Sequence, residues 1–413
     1  MNELRIRAKN LTRVSLKRRI RKNIILNTLR SNGALSLTEL SRRTGFNVPT
    51  VTNLIQELES EDYIIREKGE ATSPGRPPQH IRLNTTARYV VGADLGRFNT
   101  NIILVDLSQN VIYEKLFHTL DLHDPAVIDQ IATEINRAIE KSGVQRNRVL
   151  GVGLAIPGLV NCKLGKSYTF LNFDERPIRE IFEKKLDLPV FVENDARAMA
   201  LGELWFGLAK NARNALCLNL GWGIGLGIIT NRTIYHGHDG FAGEFGHITL
   251  KENGPLCQCG KYGCLESLAS GHAIAEQARQ LVRAGKKTKL RALVRGDVEA
   301  INPEWVVKAA QMGDQLSIEI IEQAGRYIGQ GLAILINLFN PEIVILGGRV
   351  SRAGRFLLNP IQTEATKRAL PHISERAQIV VSELGYLAGA LGATTLVKKE
   401  IFQTNHIDVS SFV

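Results

Sequence analysis

Apolar residues in the first eighty positions recur at the spacing of short helices. Ile20, Ile24, Ile25 and Leu29 mark one face of a helix over residues 18–30, which Ser31-Asn32-Gly33 ends. Ser36-Leu37-Thr38-Glu39 is a capping-box pattern, with Ser36 as N-cap and Glu39 able to reach back, so a second helix begins there and stops near Gly45. Asn47 caps a third helix, NVPTVTNLIQELES, whose buried face is Val51, Leu54, Ile55 and Leu58 at i, i+3, i+4 and i+7. Residues 63–66 and 80–83 then read as two strands around a Gly/Pro/Ser loop. Two short helices joined by a tight glycine turn, followed by a hairpin, predict a winged helix-turn-helix over residues 1–84.

From Tyr89 the pattern changes. YVVGADLG is an apolar strand entering a turn at Asp94 and Gly96, and TNIILVDL and VIYEKLFHTL follow as strands. A helix over residues 125–142 precedes a buried strand, VLGVGLAIPG, and ALCLNLGWGIGLGII repeats the strand, glycine turn and strand. EIVILGGRVS adds another strand that ends in glycines. This repetition predicts an α/β body of two similarly built lobes over residues 85–413, with the glycine turns at the edge of a cleft where backbone N–H groups can face an anion. A long, largely apolar helix over residues 314–340 suits either core packing or a subunit interface.

Length agrees with this division, since 413 residues exceed one ordinary core. No apolar run is long enough for a membrane span, and the basic N-terminus lacks a secretory pattern, so a cytoplasmic protein without a membrane partner is expected. Charge sharpens the picture. Residues 1–90 hold 17 Lys+Arg against 8 Asp+Glu, while the other 35 basic residues are nearly balanced by 33 acidic ones. The excess therefore sits on the head and points to double-stranded DNA. Asn47, Pro49, Thr50, Thr52 and Asn53 at the start of the third helix are short groups suited to base edges and phosphates in a major groove. Arg76, on the stiff backbone of Gly75-Arg76-Pro77, suits a narrow minor groove.

Candidate chemistry concentrates at GEFGHITLKENGPLCQCGKYGCLES. Three of the five cysteines, Cys257, Cys259 and Cys264, follow His247 in a glycine-rich loop. Thiolates and one imidazole suit tetrahedral Zn²⁺, one ion per chain, and four protein ligands leave no open position for an activated water. That closure disfavours a metal-dependent hydrolase. An odd cysteine count excludes a complete disulfide framework. Cys162 and Cys217 read as ordinary small residues. A fixed loop would place Glu244 and Glu266, and with Asn194 and Asp195 from VENDA these offer the donors and acceptors that a polyhydroxylated ligand requires.

Asp94-Leu95-Gly96, Pro157-Gly158, Glu193-Asn194-Asp195-Ala196 with Gly202-Glu203, Ala242-Gly243-Glu244-Phe245-Gly246-His247 and CQCGKYGCLE make residues 89–400 resemble the ROK family of sugar kinases and sugar-responsive repressors. The resemblance implies an actin-like (ribonuclease H-like) two-lobed sugar kinase fold. It implies structural zinc on His247, Cys257, Cys259 and Cys264. It also implies sugar contacts from Asn172, Asn194, Asp195, Glu244, His247 and Glu266, with His247 serving both metal and sugar. The N-terminal winged helix is similar to the family's repressor branch, in which a homodimer or homotetramer binds operator DNA and a monosaccharide or sugar phosphate releases it. The alternative is an ATP-dependent sugar kinase with Asp195 as base. Family kinases usually read Asp-x-Gly-Gly-Thr and Gly-Thr-Gly at their phosphate turns. This chain has Arg97-Phe98 and Trp222 there, and Arg349 where a further glycine is common, so a regulator without enzymatic activity is expected.

Overall fold

The computed structural model describes residues 13–68 and 79–402. The head consists of helices Arg13–Asn32, Leu37–Thr44 and Val48–Ser60. Its capping box forms as predicted: Ser36 Oγ accepts the Glu39 N–H and Glu39 reaches back to the Ser36 N–H. Gly45 ends the second helix at φ 73°, and the Asn47 side chain accepts the Thr50 N–H to start the third. The first helix begins five residues earlier than its apolar spacing indicates. Glu57 on the third helix ties the first helix down, accepting from Arg18 Nε at 3.0 Å and lying 2.8 Å from Lys22 Nζ. Strands Ile64–Lys68 and Gln79–Leu83 pair antiparallel, as predicted. Leu35–Ser36 adds a third strand against the second, too short to leave a pattern.

The body contains two five-stranded sheets of identical topology. In the first, Tyr89–Leu95, Asn99–Asp106 and Val111–His118 form an antiparallel meander, and Val149–Ile156 and Val190–Asn194 extend it in parallel on the other side. In the second, Ala215–Leu220, Ile224–Thr230 and Thr233–Ile234 form the meander, extended by Ile343–Gly347 and Gln378–Val381. Val149–Ile156 is buried at every position, which explains its continuous apolar run without alternation. Helix Ala126–Lys141 covers the first sheet with Val127, Ile131, Ile135 and Ala138. Helix Gln315–Phe339 serves mainly as core in the second lobe, packed on helix Arg355–Arg368. It leaves Ile334 and Leu338 exposed.

Two helices form the spine between the sheets, Asp195–Phe206 and Ala388–Phe402. Their contact depends on glycine, because a Cβ on Gly392 would lie 1.7 Å from the Ala198 carbonyl oxygen. The head is not suspended on a separate core. Ile25, Leu29, Leu40 and Ile55 share one buried cluster with Val90, Ile103 and Val105 of the first sheet and with Leu391 and Val397 of the spine. At that junction the Arg30 guanidinium stacks on Trp205 at 5.3 Å, and Lys398 Nζ lies 3.5 Å from the Asp106 carbonyl oxygen. No helix among the described residues is long and apolar enough to cross a membrane.

Candidate functional site

Asn194 and Asp195 stand where the last strand of the first sheet turns into the spine. Asn194 Oδ1 caps the helix by accepting the N–H groups of Ala196 and Arg197, and its NH₂ reaches the Gly158 carbonyl at 3.0 Å and Asp195 Oδ1 at 2.9 Å. Asn219, at the end of a second-lobe strand, donates to Asp195 Oδ2 at 3.1 Å, so both lobes hold this carboxylate. Burial pushes the Asp195 carboxyl up to about 6, opposed by its bond from the Ala196 N–H. Asp94 lies opposite, and burial first, then the charge of Asp195, pushes it up to about 7.

Behind this pair is a buried network that the sequence reading missed. Arg197, 2% exposed, gives Nε to Glu193 Oε1 at 2.7 Å, Nη2 to the Val160 carbonyl at 2.9 Å and Nη1 to the Ala242 carbonyl at 3.3 Å. Glu193 Oε2 takes His236 Nε2 at 2.7 Å. Cys162, read from sequence as an ordinary small residue, has its sulfur within 4.8 Å of the Glu193 and His236 ligand atoms. The signal available in advance was Arg197, a lone cation in the apolar run from Ala196 to Leu201, four residues after Glu193.

Glu266 sits in the short helix Leu265–Ala269 that follows Cys264, and its Oε2 accepts the Ile224 N–H at 3.0 Å. Glu244 lies 4.0 Å from His247 Nε2, and burial raises its carboxyl above the usual range. Asn172 is exposed in the segment before helix Ile178–Leu186, and no hydrogen bond joins it to the other predicted residues among those described.

His247, Cys257, Cys259 and Cys264 come together with all ligand atoms within 4.8 Å of one another. Cys257 Sγ is 3.6 Å from His247 Nδ1, and the sulfurs of Cys259 and Cys264 are 3.7 Å apart. Tetrahedral Zn–S bonds near 2.3 Å give ligand separations of about 3.8 Å, so this donor set fits such an ion. Nδ1 faces the thiols, which leaves Nε2 on the Glu244 side.

The side chains at the predicted phosphate turns meet one another. Phe98 packs edge-on against Trp222 at 4.9 Å, the Arg97 guanidinium lies over the same indole at 5.3 Å, and His272 flanks it at 4.8 Å. Arg349 is paired with Glu304 at 2.9 Å. Arg97, Phe98 and Trp222, three of the residues that depart from the kinase pattern, thus pack on one another, and Arg349 pairs elsewhere.

In the head, Asn47, Pro49 and Asn53 are exposed, and Thr50 and Thr52 half-buried, at the start of the third helix. The Thr52 hydroxyl donates to the Val48 carbonyl at 2.9 Å. Arg76 lies outside the described residues.

A winged helix in front of an actin-like, two-lobed sugar kinase fold is the class this architecture defines. A profile of the ROK family matches residues 90–400, and one of winged helix-turn-helix DNA-binding domains matches residues 18–65. The chain belongs to the ROK family. It is 32% identical over 387 residues, 93% of this chain and 96% of the relative, to a xylose repressor of Caldicellulosiruptor bescii. Among solved structures, a ROK family transcriptional regulator described as a homolog of the E. coli MLC protein matches with a TM-score of 0.79 at 30% identity, covering 93% of this chain and 96% of that one. A ROK family glucokinase from Streptomyces griseus, solved with glucose and AMPPNP, matches with a TM-score of 0.68 at 32% identity, over 75% of this chain and 99% of that one. Only the first structure's coverage extends over the head.

Proposed function

We propose that this protein is a sugar-responsive DNA-binding transcriptional repressor of carbohydrate metabolism genes, acting in the cytoplasm as a homodimer or homotetramer and without kinase turnover. One observation carries the reading: a matched DNA-binding head shares a buried core with the first lobe and the spine, while Arg97, Phe98 and His272 pack around Trp222 at the turns where a kinase would be expected to hold phosphates.

The chemistry of the cleft follows from its groups. Asp195, Glu244 and Glu266 accept hydrogen bonds from sugar hydroxyls, Asn194 both donates and accepts, and His247 Nε2 offers a contact of fixed tautomer. Asn172 is the remaining candidate contact. His247, Cys257, Cys259 and Cys264 hold one zinc ion, whose part is to fix the loop. Because Asp195 is held by Asn194 from one lobe and Asn219 from the other, a sugar bound there favours one interlobe geometry. The spine helix starts at Asp195 and ends beside the head at Trp205 and Phe206, so that preference reaches the reading heads. Asn47, Pro49, Thr50, Thr52 and Asn53 would enter a major groove, and Arg76 the adjacent minor groove. Two heads on a palindromic operator would then lose register, with coupling of about 1–3 kcal/mol, a factor of ~5–150 in affinity. The alternative, an ATP-dependent sugar kinase or a bifunctional protein, is favoured by retention of Asp195 beside Asp94, by Arg97, which could hold a phosphate, and by the likeness to a glucokinase.

The test uses an operator selected from a random duplex pool. Fluorescence anisotropy with and without each member of a saccharide panel should reveal one that weakens binding at least about fivefold. Unchanged operator affinity across the panel, together with ATP-dependent phosphorylation at ~1–100 per second, would establish the kinase instead.

A further inference from the structure

We propose that the cleft carries a second saccharide subsite built on Trp222, so that the effector is a disaccharide or other glycoside rather than a single ring; this rests on the reading of the cleft as a sugar-effector site. The turn Gly221–Gly223 separates two environments. On one side Gly223 lies against the inner set, where a Cβ would come within 2.6 Å of Glu266 Oε2, and Asn219 before the turn donates to Asp195. On the other side the Trp222 ring meets Phe98 and His272. There it lines an open cavity of about 220 Å³, bounded also by Phe98, Arg279, Glu299 and Asn302. The cavity thus begins one residue from groups that contact the inner sugar.

The lining selects the ligand chemistry. At ~30 Å³ per water, the space holds roughly seven waters, of the order of one sugar ring. A pyranose presents a C–H face and a rim of hydroxyls. Phe98 and Trp222 supply apolar surface for the face, and Glu299 and Asn302 supply polar groups for the rim. The Trp222 indole N–H is buried without a partner among the described residues, in the side chain that lines this cavity. Charge argues against a phosphate in this cavity. Arg279 is engaged by the Ile301 carbonyl and by Glu276, Arg97 is stacked on the indole, and Glu299 on the wall holds Arg283 in an ion pair, so each of these cations is already committed.

Calorimetry on the full chain tests this with matched pairs: glucose against cellobiose and maltose, xylose against xylobiose, N-acetylglucosamine against chitobiose, with glucose 6-phosphate alongside. The expected result is one disaccharide binding at least about tenfold tighter than its monosaccharide. Trp222→Ala should bring that ratio close to one, and Trp222→Phe, which keeps a platform but no N–H, should retain part of it. Monosaccharide binding with no disaccharide advantage overturns the subsite and leaves the effector reading standing. Tighter binding of glucose 6-phosphate than of any disaccharide overturns it, as does a ratio untouched by both Trp222 variants. Silence toward every saccharide overturns the subsite and the effector reading together.

Discussion

Replacing Arg197 with Met tests whether the buried network behind the cleft holds the sugar site in place. The substitution keeps the aliphatic bulk and removes a guanidinium that reaches Glu193, the Val160 carbonyl and the Ala242 carbonyl. Breaking a buried pair from one side costs ~3–5 kcal/mol, because the remaining charge is left without compensation. Glu193 keeps one charged partner, His236, and the Asn194 N–H. Hydrogen bonds to Cys162 and Glu193 raise His236 to about 9, so it stays charged on Glu193 Oε2 at neutral pH. The expected loss is therefore ~2–4 kcal/mol. The Glu193→Gln/Arg197→Met double variant should cost less than the two single changes combined, with a coupling of ~1–3 kcal/mol. Urea unfolding of the four proteins measures this. Glu193 Oε1 also accepts the Asn194 N–H at 2.8 Å, so loosening it displaces Asn194 and Asp195, and sugar affinity should fall by about tenfold, or ~1.4 kcal/mol. A loss below about 1 kcal/mol, or an additive cycle, refutes the argument.

Three further outcomes are expected. Cys259→Ser removes one of four ligands, so elemental analysis should find the metal gone and calorimetry should find sugar binding weakened, while operator binding persists. Sugar affinity should fall by up to about tenfold between pH 7 and pH 5, because Asp195 takes up its proton through about 6 and the neutral carboxyl is a weaker acceptor, with one oxygen turned donor. Its folded pKa is raised, so this group contributes stability at low pH that is lost as pH rises through about 6; acid unfolding in that window is not expected from Asp195. Trp205→Ala removes the platform under Arg30 and should leave operator and sugar affinities within about threefold while the release factor falls towards one; full sugar-induced release in this variant would exclude the spine as the route.

Local and periodic features were legible in the sequence. Ser36 and Glu39 announce a helix start because a capping box closes within four residues, and Val51, Leu54, Ile55 and Leu58 define a buried face because helical geometry repeats every 3.6 residues. The convergence of His247 with Cys257, Cys259 and Cys264 was equally readable, since three thiols in one short loop can meet with little chain between them. The doubled strand-turn-strand pattern pointed to the two lobes, which share one topology.

Contacts between distant segments were decided only by the tertiary structure. Asn219 reaches Asp195 across 24 residues, and Arg197 joins Val160 to Ala242, because the two sheets face each other over one spine. Gly392 against Ala198 sets that facing, and nothing around either residue in the chain indicates it. The union of the head with the first lobe through Ile25, Val90 and Val397 is of the same kind. Hydrogen bonds and burial depend on distance in space. Pattern along a chain reports them only where the backbone returns within a turn or two, and beyond that range the packing of whole elements determines which groups meet.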